Sequence, residues 1–315
     1  MKKILAAAAL SAALFCSFVS GALAAEKLKI ITTIFPQYDF ARQITGGEAD
    51  VTMLLRPGSE SHSFEPTPQD IIKISGCDMF VYVGGESDDW AERILESAEE
   101  SAGRKINVVS LMSLVDTVEE EITEGMQEEA EEEEEGEGHA EYDEHVWTSP
   151  TNAIKIVNAL ADRLCELDKS RAELFRRNAD AYAEKLAALG GEFKSIVSDG
   201  KRNLVVFGDR FPFRYFTDEY GLEYFAAFPG CSTETEASAA TVAFLIDKVR
   251  AENIPVVFYR EFSNEKIADA IGESTGAVPM LMHSCHNVTR EDFERGVGYL
   301  ELMSANAENL RKALN

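Results

Sequence analysis

Five histidines occur in the chain: His62, His139, His145, His283 and His286. Neutral imidazole is the commonest ligand for zinc, which takes four N, S or O donors in a tetrahedron. His145 stands in Asp143-Glu144-His145-Val146-Trp147, just ahead of Ser149-Pro150, a pair suited to the N-cap and first position of a helix. His62 lies in the run Arg56-Pro57-Gly58-Ser59-Glu60-Ser61-His62-Ser63-Phe64-Glu65-Pro66-Thr67-Pro68, and Met282-His283-Ser284-Cys285-His286 holds two more imidazoles. Asp209 and Glu261 are further oxygen donors, each with a purely structural alternative. Asp209 could pair with Arg210 or cap the helix that follows, and Glu261 could pair with Arg260 or Lys266. Nothing favours nucleophilic catalysis: the chain has no Gly-x-Ser-x-Gly elbow, phosphate-binding loop or dinucleotide glycine motif.

The stretch 119–144 leads into His145. Fifteen of its 26 residues are Asp or Glu, none is Lys or Arg, and it contains His139. Such a run cannot bury enough apolar surface to fold, so it reads as a solvated, mobile loop that could collect cations. The net charge of -26 argues against nucleic acid and anionic membrane surfaces as partners, and more than half of it sits in this one loop.

These groups need elements to position them. Residues 1–25 read as a cleaved signal peptide: Lys2 and Lys3, an apolar run over 4–19, then Ala22-Leu23-Ala24. The product is expected to be periplasmic or otherwise exported. A lipid anchor on Cys16 is not expected, because bulky Phe15 precedes it inside the apolar run. Short β-branched runs at 28–34, 49–55, 79–83 and 106–110 alternate with helical patterns at 38–44, 68–74 and 90–98. The scheme repeats with strands at 203–207, 224–228, 255–259 and 278–282, and helices at 213–220, 237–252, 264–275 and 290–314. Between the sets lie a helix with an apolar face at Ile154, Val157, Leu160, Ala161, Leu164 and Leu167, and a longer one over 171–197, interrupted by Gly190-Gly191. Gly84-Gly85 and Gly190-Gly191 read as turns.

The fold class is α/β: two parallel-sheet lobes joined by one long helix, with a cleft between them. The expected divisions are a first lobe over 26–150, a helical region over 151–199 and a second lobe over 200–315. Ligands in such sheets gather beyond the carboxyl ends of the strands. His62, His145, His283 and His286 all fall there. Cys231 and Cys285 both follow strands of the second lobe, so a disulfide between them is expected in an oxidising compartment. Cys77 and Cys165 read as core residues, and Phe211, Phe213, Tyr215 and Phe216 as packing.

The segments around His62 and from Asp143 to Pro150, with the order of the lobes, resemble the metal-binding receptors of ABC-type zinc and manganese importers. The similarity extends over essentially all of the mature chain. It implies a monomeric binding protein, not an enzyme, that captures Zn2+ and delivers it to a membrane permease, with ATP bound elsewhere. The acidic loop with His139 resembles the zinc branch, where it serves as an auxiliary metal loop. The chain departs from the family at two places. A third histidine is missing where Gly208-Asp209 stands, and the segment 282–286 replaces a customary Asp. The resulting ligand set is His62, His145 and His283, with His286, Asp209, Glu261, Glu60 or water completing it. His283 is preferred to His286 because it directly follows a strand. A manganese or iron receptor is the alternative, though an imidazole-rich set favours zinc. A metallohydrolase would need an open coordination position and a positioned base, and adhesin-like relatives exist.

Overall fold

A computed structural model describes residues 26–60, 64–126, 142–232 and 236–315. Residues 1–25, read above as a signal peptide, and His62 and His139 lie outside the described residues. The first lobe holds β1 (Leu28–Thr32), α1 (Phe35–Thr45), β2 (Ala49–Met53), α2 (Pro68–Ser75), β3 (Met79–Tyr82), α3 (Asp89–Ala102) and β4 (Asn107–Ser110). Its four strands are parallel in the order β2-β1-β3-β4. The second lobe holds β5 (Leu204–Phe211), α6 (Arg214–Tyr220), β6 (Glu223–Pro229), α7 (Ala239–Ala251), β7 (Val256–Tyr259), α8 (Lys266–Thr275) and β8 (Val278–Leu281). The order is the same, β6-β5-β7-β8. Both faces of a parallel sheet are covered, so central strands are apolar throughout rather than alternating. Every residue of β3 and of β5 is buried.

Two helices link the lobes. In α4 (Pro150–Leu167), Ser149 Oγ accepts the Asn152 N–H, Pro150 occupies the first turn, and Ala153, Ile156, Val157, Leu160, Ala161 and Leu164 form the buried face. The second, α5 (Ala172–Asp199), runs for 28 residues, about 42 Å at the α-helical rise. Gly190-Gly191 does not interrupt it, contrary to expectation. A Cβ on Gly190 would meet Pro150 Cβ and Tyr220 Oη at an ordinary contact distance of 3.5 Å, and one on Gly191 would meet nothing within 4 Å, so both positions are sterically compatible with a continuous helix. The single helix expected over 290–314 is two, α9 (Arg290–Arg295) and α10 (Tyr299–Leu314). Gly296, at φ +75°, ends the first with a left-handed cap that side chains resist.

One apolar core passes from Ile30 and Phe40 of the first lobe, through Phe175 and Phe193 of α5, to Phe207, Phe258 and Leu310 of the second. Backbone hydrogen bonds also cross the cleft. Phe35 N donates to His286 O (3.2 Å) and Gly58 N to Val288 O (2.8 Å). Asn287 Nδ2 donates to Arg56 O and Ser59 O (2.7 and 2.8 Å).

The expected disulfide is not formed: Cys231 and Cys285 are free thiols. They follow β6 and β8, the opposite edges of the sheet. Three inter-strand spacings separate those edges by about 14 Å, beyond the ~7 Å Cα reach of a disulfide. Cys77 is buried as expected, while Cys165 is half-buried with Sγ against Ala172 O (3.2 Å).

Candidate metal site

His145 is wholly buried at the entry to a single 3-10 turn, Val146–Thr148, that leads into α4. Asp143 holds it twice: Oδ1 accepts the His145 backbone N–H at 2.7 Å and lies 3.1 Å from Nδ1. Asp143 is itself fixed, since its N–H donates to Val118 O (3.0 Å) and its carbonyl accepts from Tyr215 Oη (2.7 Å). A carboxylate on one imidazole nitrogen orients the ring and raises the basicity of the other. That contact leaves Nε2 as the nitrogen available to a ligand. Burial alone would depress the His145 pKa, but the charge of Asp143, its hydrogen bond and the nearby Glu144 and Glu120 outweigh burial and raise it.

The ring of His286 meets that of His145 with centres 5.3 Å apart and planes at 89°. Two imidazoles on one tetrahedral zinc at ~2.0–2.1 Å from each nitrogen would have ring centres about 5 Å apart. Trp147 packs on both, 4.9 Å from His286 and 5.4 Å from His145. Its indole N–H donates to Ser284 O (2.8 Å), and its carbonyl accepts from Tyr299 Oη (2.7 Å). One buried indole thus joins the two histidine-bearing segments.

Glu261 shapes the turn that carries His286. Its carboxylate accepts from Ser284 N (2.7 Å), Ser284 Oγ (2.6 Å) and His286 N (3.2 Å). Burial pushes its pKa up, but His283, the Ser284 hydrogen bonds and Arg260 prevail and hold it below the ordinary value. Cys285 completes the turn at φ +62°, a conformation costly for a side-chain-bearing residue. His283 faces this turn: its Nδ1 accepts the Cys285 N–H (2.9 Å) and lies 3.6 Å from Glu261 Oε1. The ring contact to His145 is made by His286.

The other carboxylates expected near the metal are engaged by protein groups. Asp209 accepts from the backbone N–H of Arg210 (2.8 Å) and of Arg260 (3.2 Å), and burial raises its pKa. Glu60 Oε2 lies 3.2 Å from the Arg210 guanidinium and 3.0 Å from that of Arg260. The residues flanking the His62 segment, Glu60 and Phe64, both reach the cleft. Phe64 packs on Trp90 with ring centres 5.6 Å apart. It also lines a small cavity with Thr33, Leu55, Asp88, Glu144 and His286.

Two acids of this cavity are absent from the sequence-derived set. Burial pushes Glu144 up to about 7, against a hydrogen bond from Ser87 N, and Asp88 up to about 6, against one from Val83 N. Gly85, at φ +80°, allows Glu144 in, since a Cβ there would lie 2.5 Å from Glu144 Oε1. Asp143 and Trp147 are the other omissions. The spacing Asp-x-His was a usable signal for Asp143, because a short acidic side chain readily bonds a backbone N–H two residues on. Among the described residues no group of three or more His, Cys, Asp or Glu is arranged to hold a metal.

The acidic stretch is not solvated from its start. Glu119 pairs with Tyr142 in an antiparallel bridge. Glu120 accepts from Cys231 N (2.9 Å), Glu121 pairs with Arg214 (2.8 Å), and Glu124 pairs with Lys248 (3.2 Å). Residues up to 126 are thus docked on the second lobe, because basic and amide groups there meet the acids. Residues 127–141 lie outside the described residues.

Residues 30–313 match the family described as ZnuA, zinc-uptake complex component A, periplasmic. The chain belongs to this family. It is 30% identical to the high-affinity zinc uptake system protein ZnuA of Bacillus subtilis over 92% of its own length and 88% of that protein. Identity is 32% to the zinc-binding lipoprotein AdcA of Streptococcus pneumoniae over 99% of this chain, which spans 61% of that longer relative. A crystal structure of the Zn(II)-bound ZnuA-like domain of that AdcA is similar with a TM-score of 0.74 at 28% identity, covering 92% of this chain and 99% of that one.

Proposed function

We propose that this chain is the solute-binding component of an ABC-type zinc importer. It captures Zn2+ outside the cytoplasm, in the cleft between its lobes, and passes the ion to a membrane permease; it is not an enzyme. The observation that carries this reading is the meeting of His145 and His286, one imidazole from each side of the cleft, at 5.3 Å. Zinc favours imidazole donors, whereas manganese favours carboxylates that here are committed to other partners. His145 Nε2 and His286 serve as ligands and His62 supplies a third, with water or one of the nearby acids completing the tetrahedron. His283, the member of the pair preferred from sequence, acts in this reading by setting the turn through Cys285 and Glu261. Glu60, Asp209 and Glu261 support the site, and His139 belongs to an auxiliary loop. Because ligands come from both lobes, a small separation breaks a metal–nitrogen bond, which suits an ion that must be given up. The chain acts as a monomer after removal of residues 1–25.

Metal analysis of the exported protein followed by competition titration tests the reading. One tightly held zinc equivalent, displaced only by a large excess of manganese, is the expected result. Tighter binding of manganese than of zinc would overturn it.

A further inference from the structure

The cleft contains two buried cations that no ligand set uses. Arg210, at the end of β5, is 4% exposed, and Arg260, just past β7, is 8% exposed. A guanidinium is always protonated and cannot ligate a metal ion. Both converge on Glu60 Oε2, at 3.2 and 3.0 Å. Glu60 comes from the loop after β2, so these ion pairs span the lobes. Each arginine is also tied within its own lobe. Arg210 donates to Ser232 O (2.7 Å), and Arg260 donates to Glu261 O (3.3 Å) and has Nε 3.7 Å from Asp209 Oδ1. The carboxylates of Glu60, Asp209 and Glu261 offset the two guanidiniums, so the cluster does not repel an incoming dication. Beside it run the other cross-lobe links, Gly58 N–H to Val288 O and the Asn287 amide to Arg56 O and Ser59 O.

We propose that Arg210 and Arg260 are positioning residues for metal capture: by clamping Glu60 they hold the lobes together through a link that does not pass through the metal. Zinc then leaves only when this clamp opens, and the clamp acts on release more than on capture. The kinetic consequence rests on the zinc-capture reading above; the clamp itself does not.

Stopped-flow transfer of zinc to a fluorescent chelator tests it on the exported protein. Arg210→Met and Glu60→Gln should each release zinc about ten times faster, with association changed far less, as is usual when a docked contact is lost. Arg210→Lys, which keeps the charge but not the fork, should fall between. The double variant should release no faster than Glu60→Gln alone, because both changes remove one interaction. In the metal-free protein the Gly58 amide should exchange with deuterium about tenfold faster in Arg210→Met, because its bond to Val288 O depends on the closed lobes. Unchanged release together with unchanged Gly58 exchange would overturn the clamp. Acceleration in Glu60→Gln but not in Arg210→Met would also overturn it, and would make Glu60 a metal ligand. A wild-type protein that binds no zinc would instead sink the zinc-capture reading and leave Gly58 exchange to decide on the clamp.

Discussion

The two sheets share one strand order, yet the chemistry beyond their carboxyl ends is opposite. On the first lobe the cleft is lined by Asp88, Asp143 and Glu144, whose carboxylates accept from the backbone N–H groups of Val83, His145 and Ser87. On the second lobe the acids Asp209 and Glu261 stand beside Arg210 and Arg260 or are taken up by the turn at Ser284. The same topology therefore builds an acidic wall on one side and a self-neutralised one on the other, with His145 and His286 at the seam. If the proposed function holds, the difference amounts to a division of labour: one lobe attracts and orients the ion, and the other completes and closes the site.

This contrast breaks most severely at His145. His145→Ala should weaken zinc binding by at least ~100-fold by isothermal titration, the upper end of what loss of a mere supporting group costs. On the second lobe, His286→Ala should cost nearly as much and His283→Ala about tenfold or less. The reverse ranking would return the ligand role to His283. Asp143→Asn keeps the shape but weakens the orienting contact, and about a tenfold loss of affinity with an unaltered circular dichroism spectrum is expected. Glu144 tests the acidic wall without metal. Its pKa of about 7 in the fold stands above the ordinary 4.5, so the protonated form is the one the fold favours. The stability it contributes is complete below about 4.5 and lost as pH rises through about 7. Wild type and Glu144→Gln should then melt alike in acid, and the wild type should fall behind above neutrality by up to about 3 kcal/mol. The smallest effect is expected on excising residues 127–141, which should leave tight binding within about twofold, since a run so acidic and so poor in apolar residues has little to bury around an ion. Only weaker zinc equivalents should disappear. Loss of the tight site would make His139 a primary ligand.

Most elements were legible because each strand is a short apolar run and each helix has a periodic face. Val146 to Pro150 announced itself through Ser149 and Pro150, whose capping roles are local chemistry. The choice between His283 and His286 was not local. It depends on β8 ending at Leu281 and on Cys285 turning the chain at φ +62°, with Glu261, more than twenty residues away in sequence, holding the turn. The disulfide expectation failed for a similar reason. Strand positions can be read from periodicity, but the order that puts β6 and β8 on opposite edges cannot. The docking of Glu120 and Glu121 was equally hidden, since their partners Cys231, Arg214 and Tyr224 come roughly a hundred residues later. Composition describes a segment, not what waits for it across the fold.

The core that runs from Ile30 through Phe193 to Leu310 has a thermodynamic meaning beyond holding the cleft in shape. Each lobe keeps a smaller apolar cluster of its own, but the largest cluster is shared by both lobes and α5, so exposing one lobe would strip the other of much of its packing. Heating should therefore produce a single calorimetric transition, with van't Hoff and measured enthalpies in agreement. An ion bound at the seam would then raise the melting temperature of the entire molecule in proportion to the logarithm of its concentration. Occupancy of one small site would be felt as far away as the end of α10.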